Sequence, residues 1–163
     1  MEIRKAEQTD LTKILEILNY ETANSTAVYD DMQRDEEFIQ TWFLEKKQLG
    51  FPVFVALENG EVLGYGTYGK YRPHDGFRFT VEHSIYISKE NRGGGIGKQL
   101  MEKLIDSAKN LGFHAMIAGI DAENVKSCKF HEDFGFTEVG RLKEVGFKFD
   151  RWLDLVFMQK MLC

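Results

Sequence analysis

Four glycines crowd into the nine residues Arg92-Gly93-Gly94-Gly95-Ile96-Gly97-Lys98-Gln99-Leu100, between the strand-like Val81–Ser88 and a periodic helical segment. Glycines there let backbone N–H groups approach a ligand with no side chain in the way. The start of a helix adds unpaired N–H donors and the positive end of its dipole, a combination that binds phosphate. The chemistry on offer is capture of a pyrophosphate-bearing cofactor. A Walker A loop would need glycine at 92 and Ser or Thr at 99, where Arg92 and Gln99 stand. A G-x-G-x-x-G fingerprint would need glycine at 98 or 100, where Lys98 and Leu100 stand, and belongs at a first strand–helix turn. What the residues spell is Arg-x-x-Gly-x-Gly, with Arg92, Gly95 and Gly97. The competing reading is a glycine turn with no ligand.

Other residues offer acid–base and anion chemistry. A carboxylate beside an amine can accept its proton directly or through water, and Glu82 stands just ahead of Ile85-Tyr86-Ile87. Taken alone, a Glu at a strand position is ordinarily solvated or salt-bridged. His131 and His83 titrate near neutrality, yet a lone histidine is more often packed or on the surface. His131-Glu132 begins like H-E-x-x-H, but Gly135 stands where the second ligand should be. His74, His83 and His114 show no paired ligand spacing either, so no metal is expected. Arg72 and Arg78 flank the Pro73–Gly76 loop, and a guanidinium binds a carboxylate bidentately. For Arg78 a solvated hairpin tip is equally open. Tyr29, Phe147 and Trp152 are candidate pocket walls or, equally, packing residues.

The elements that must position these groups follow from periodicity and punctuation. Glu2–Lys5 reads as a strand, and Thr9 or Asp10 caps a helix carrying Leu11, Ile14, Leu15 and Leu18. Asn19–Met32 reads as polar and irregular, and Asp35–Leu49 as a helix ended by Gly50. Pro52–Leu57 and Glu61–Tyr68 form a hairpin about Asn59-Gly60, and Phe79–Ser88 is the next strand. Ile96, Leu100, Met101, Leu104, Ile105, Ala108 and Leu111 make one apolar helix face closed by Gly112. His114–Asp121 is a strand, Asn124–Phe134 a helix, and Thr137–Phe147 and Trp152–Met161 two last strands.

The 163 residues suit a single domain, 1–163, with no linker or repeat. A net charge of -5 argues against nucleic acid as partner. Cys128 and Cys163 make no disulfide framework. No basic-then-apolar leader opens the chain and no apolar run approaches a membrane span. The expectation is a soluble, cytoplasmic protein with no membrane partner.

The order β-α-α-β-β-β-α-β-α-β-β, with Arg92-x-x-Gly95-x-Gly97, is similar to the GNAT N-acetyltransferases. Asn124-x-x-Ser127-Cys128-x-Phe130-His131 before Gly135-Phe136, Thr80-Val81-Glu82-His83-Ser84, and Val145-Gly146-Phe147-Lys148-Phe149-x-Arg151-Trp152-x-Asp154 narrow the likeness. Across essentially its whole length the chain resembles the phosphinothricin / methionine sulfoximine N-acetyltransferases. The resemblance implies an α/β acyl-CoA N-acyltransferase fold, a mixed twisted sheet of about seven strands flanked by about four helices. It implies acetyl-CoA as co-substrate, held by Ile85, Tyr86, Ile87, Arg92, Gly93, Gly94, Gly95, Ile96, Gly97, Lys98 and Asn124. It makes Glu82 the general base and the Ile85 or Ile87 N–H the group that polarises the thioester oxygen. His131 stands where the common pattern has a tyrosine proton donor and is a candidate catalytic donor in its place, with a tyrosine of the site such as Tyr86 as the alternative. Arg72, Pro73, His74, Glu82, His83 and Ser84, with the irregular Asn24–Tyr29 segment, are then the residues expected to receive a small amino-acid-like amine. A homodimer is also implied, with the apolar run Trp152–Met158 as its support.

Overall fold

The computed structural model describes residues 1–163. One sheet of seven strands organises the chain: β1 (Glu2–Lys5), β2 (Val53–Glu58), β3 (Glu61–Lys70), β4 (Thr80–Ile87), β5 (Ala115–Asp121), β6 (Thr137–Lys148) and β7 (Arg151–Met161). Their spatial order is β1-β2-β3-β4-β5-β7-β6. Every neighbouring pair is antiparallel except β4 and β5. Four helices cover the sheet: α1 (Leu11–Asn24), α2 (Glu36–Leu49), α3 (Ile96–Asn110) and α4 (Val125–Asp133).

Strand β2 shows how the layers divide. Its residues are buried in an unbroken run, but alternate side chains serve opposite faces. Val53, Val55 and Leu57 pack with α1 and α2, whereas Phe54 and Ala56 pack with α3. On β4 the same alternation sends Val81 and Ile85 to the α3 side and Tyr86 to the α1 side. Glu82 shares the face of Tyr86, and His83 that of Val81 and Ile85.

Two expectations need correction. The first helix does not stop near Leu18 but continues to Asn24. Asn19 does not break it, because its amide clasps the Arg34 backbone instead, donating to the carbonyl at 2.9 Å and accepting from the N–H at 2.7 Å. Leu111 lies beyond the end of α3 and is 58% exposed, so the apolar face closes at Ala108. As expected for a strand, the run Trp152–Met158 lies in β7, with Leu153, Val156 and Met158 buried, Leu155 and Phe157 half-buried and Trp152 exposed. No helix is long and apolar enough to cross a membrane.

Candidate active site

The site begins where β4 and β5 part. They pair from Thr80↔Ala115 to Glu82↔Ile117 and no further, while β4 stays paired to β3 as far as Gly64↔Ile87. Backbone groups alternate in direction along a strand. The Ser88 N–H and Thr80 carbonyl are bonded on the β3 side, and the Phe79 carbonyl accepts from His114 on the β5 side. The N–H groups of Ile85 and Ile87 therefore face the gap. The cavity there measures about 250 Å³, and Ser84–Ile87, Gly97, Asn124, Ser127, His83 and His131 share it. A larger cavity, about 680 Å³, opens at the opposite end between β1, α2 and α3, and holds none of the expected site residues.

Above the gap, Gly93 and Gly95 take left-handed backbone angles (φ 84° and 78°) that lead the chain into α3. Helices α2 and α4 are capped by side chains, Asp35 accepting from the Phe38 N–H and Asn124 from the Ser127 N–H. Gly95 brings no side-chain cap, so the first N–H groups of α3 are left for a ligand. A Cβ at Gly97 would touch only the Phe130 ring, at 3.7 Å. The space over Gly97 is thus not needed for the protein's own packing. This combination of free amides, a helix N-terminus and an open strand edge suits an elongated ligand with a diphosphate at one end and amide groups along its length.

Glu82 stands where the strands part, just outside the cavity lining. Crowding by the protein raises its carboxyl above the ordinary range, and the Arg72 charge partly restores it. Arg72 follows β3, lies over the Tyr71 ring at 5.2 Å and has no hydrogen-bond or ion-pair partner of its own. Arg78 is committed to its loop, donating to the Asp75 carbonyl at 2.9 Å and covering Phe79. Pro73 and His74 are exposed and away from the cavity. Phe147 and Trp152 lean on each other, 4.8 Å between ring centres, on the exposed β6–β7 hairpin, and Tyr29 packs beside Gly146.

His83 and His131 form a single unit beneath the cavity. Their Nε2 atoms lie 3.0 Å apart, and His131 Nδ1 lies 2.7 Å from the Ser127 carbonyl. A carbonyl only accepts, so His131 carries its proton on Nδ1. Its Nε2 is then an acceptor, and His83 must donate from Nε2. That leaves His83 Nδ1 bare, and it is the one buried side-chain polar atom with no partner. Burial, and then the neighbouring imidazole, push His83 down to about 3 from the ordinary 6.5. Burial lowers His131 as well, against the raising effect of the Ser127 carbonyl. The pair is neutral at physiological pH.

Sequence reasoning missed Glu21, Asp121 and Lys148, while Thr26 and Ala27, from the expected Asn24–Tyr29 segment, do line the cavity. Glu21 is a buried carboxylate on α1 whose partners are Arg92 and Ser25. The signal was present: continuing the stripe Leu11, Ile14, Ile17 by one turn reaches Glu21, and a charge on a buried stripe demands a partner. Arg92, expected among the residues that hold acetyl-CoA, donates to this carboxylate from Nη2.

The family described as acetyltransferase (GNAT) domain matches residues 3–157. An L-methionine sulfoximine/L-methionine sulfone acetyltransferase of Salmonella typhimurium is 43% identical over 162 residues, 99% of this chain and 95% of its own. Among solved structures, a ribosomal-protein-alanine N-acetyltransferase from Brucella melitensis superposes with a TM-score of 0.98 at 44% identity, covering 99% of both chains. A phosphinothricin acetyltransferase from Sinorhizobium meliloti, in complex with acetyl-CoA, gives 0.95 at 38% identity, covering 98% of this chain and 87% of that one.

The histidine pair makes one prediction. The folded state holds His83 unprotonated until near pH 3, whereas the unfolded chain takes up its proton near 6.5. Stability from this residue is present above 6.5 and is lost as pH falls. The loss amounts to about 2 kcal/mol between pH 7 and 5. Urea denaturation at the two pH values should show that decline in the wild type and a shallower one in His83→Asn.

Proposed function

This chain belongs to the GNAT acetyltransferases, and on that footing we propose that it transfers the acetyl group of acetyl-CoA to the amine of a small amino-acid-like acceptor, of the methionine sulfoximine, methionine sulfone or phosphinothricin type. The observation that carries the reading is the continuity of one open strand edge. It runs from Glu82, under the influence of Arg72, to the uncapped start of α3.

The residues present fit the co-substrate. The diphosphate falls to the amides of Gly93–Lys98, and the amide-bearing arm to Ile85, Ile87 and the free Nδ2 of Asn124. Acetyl-CoA, when bound, supplies an acetyl thioester open to attack by an amine. Glu82 takes the ammonium proton, directly or through water, and its raised carboxyl is the better base for it. The Ile85 or the Ile87 N–H polarises the thioester oxygen, on which negative charge develops. Of the two candidates for returning a proton to sulfur, His131 has none free in its neutral tautomer. The Tyr86 hydroxyl keeps its proton, because burial raises it. Arg72, without a protein partner, receives the acceptor carboxylate.

The protein acts as a homodimer in this reading, supported by the apolar side chains exposed on the β6–β7 hairpin: Val139, Val145, Phe147 and Trp152. Two free cysteines suit a reducing, cytoplasmic setting. A peptide acceptor is the second reading, favoured by the description of the Brucella melitensis structure.

Three outcomes are expected. Gly97→Ala should fold as the wild type, since its Cβ has room, yet should raise the Michaelis constant for acetyl-CoA in a thiol-release assay. Glu82→Gln should lower turnover about 10²–10⁴-fold with acetyl-CoA binding retained by calorimetry. Across methionine sulfoximine, phosphinothricin, their carboxamides and an alanine-terminated peptide, the free acids should be preferred to the amides. The lost charge-assisted hydrogen bonds are worth about 1.5–3 kcal/mol, on the order of ten- to a hundredfold, and Arg72→Ala should erase the preference. Equal rates on acid and amide would refute the amino-acid reading, and faster peptide acetylation would establish the second.

A further inference from the structure

Arg92 opens the glycine loop, yet part of its guanidinium is spent elsewhere. Nη2 donates to Glu21 Oε1, and Nε reaches the Ile87 carbonyl at 3.4 Å. The other donors are uncommitted, and 49% of the side chain is exposed. Glu21 is the opposite case, a carboxylate only 6% exposed. Its second oxygen accepts from the Ser25 hydroxyl at 2.5 Å. Ser25 lies in the Asn24–Tyr29 segment expected to select the acceptor, and its neighbours Thr26 and Ala27 line the cavity. The same segment is tied down twice more. Lys148 Nζ donates to the Ser25 and Val28 carbonyls at 2.7 and 2.5 Å, and the Thr26 hydroxyl donates to Asp121 at 2.6 Å.

One buried carboxylate is therefore gripped by the cofactor loop on one side and by the acceptor wall on the other. A charge so far from water depends on both grips, and loosening either leaves it under-compensated. The guanidinium is a rigid fork of five donors, so Arg92 can hold Glu21 and still offer N–H groups to a phosphate.

We propose that Glu21 is a positioning residue that couples the two halves of the site, so that filling the cofactor loop orders the Ser25–Val28 wall and each ligand tightens the binding of the other. The proposal rests on the reading of the glycine loop as the acetyl-CoA site. A phosphate on the free face of Arg92 restrains the guanidinium, the restrained guanidinium fixes Glu21, and Glu21 fixes Ser25. The second ligand then meets a wall already ordered, and by linkage the effect runs equally in both directions.

The test uses the full chain and two readouts. Wild type, Glu21→Gln, Glu21→Ala and Arg92→Lys are titrated by calorimetry with CoA, with L-methionine sulfoximine, and with L-methionine sulfoximine in saturating CoA. Amide hydrogen exchange over residues 25–29 is followed with and without CoA. In the wild type, CoA should tighten L-methionine sulfoximine binding about tenfold and slow exchange over 25–29. The tightening should shrink in Glu21→Gln and fall below about twofold in Glu21→Ala, with exchange over 25–29 no longer answering to CoA. Arg92→Lys, which keeps the charge but not the fork, should behave like Glu21→Gln. If Glu21→Ala fails to fold, Glu21→Gln decides. If the wild type binds no L-methionine sulfoximine, the exchange response to CoA decides. A wild type without coupling, or a folded Glu21 variant with coupling intact, overturns the proposal. A wild type that binds no CoA refutes the reading of the glycine loop instead.

Discussion

Strands β4 and β5 hold together through Thr80–Glu82 and Ala115–Ile117 and then separate. Backbone N–H and carbonyl groups denied a partner away from water are costly, so a gap in the middle of a sheet must be imposed by its surroundings. Each strand is anchored on its far edge: β4 by β3 to the level of Ile87, and β5 by β7 along all of Ala115–Asp121. Below the gap the histidine pair bridges β4 to α4, with the Phe136 ring packed against both imidazoles. The opening is thus framed by paired strands on both sides and by packed rings below.

The two helices that follow the diverging strands complete the arrangement. α3 starts shortly after β4, and α4 shortly after β5, so both present their positive ends at the same rim of the sheet. The rim treats them differently. Asn124 satisfies the start of α4 internally, whereas the start of α3 has only glycines before it. In a protein of net charge -5, attraction for an anionic co-substrate comes from this concentrated local field rather than from overall charge.

The element order and the location of the glycine loop were legible because they rest on local signals: the Asn59-Gly60 turn, Asp35 before α2, Gly50 after it, and the stripe from Ile96 to Ala108. The errors arose where a polar residue served a tertiary purpose. Asn19 reads as a helix breaker because its amide competes for backbone groups; it does bond backbone, but that of Arg34, 15 residues away. Ending α1 there hid Glu21, and with it the carboxylate that Arg92 pairs with. The histidine pair was equally out of reach. His83 and His131 are 48 residues apart, and nothing in either local sequence announces that one imidazole chooses the tautomer of the other.

The tautomer chain from Ser127 through His131 to His83 also bears on how this sequence can drift. The chain is directional, with each ring either giving or taking a proton at a fixed nitrogen, so neither imidazole can be exchanged by itself without consequence. Replace His131 by a residue that cannot accept at that point, and the Nε2–H of His83 is stranded in the interior, at a cost of about 1–3 kcal/mol. Replace His83 by an apolar residue, and the lone pair on His131 is stranded instead. Positions 83 and 131 should accordingly change as a linked couple among descendants of this chain, each constrained by the history of the other though they belong to different elements.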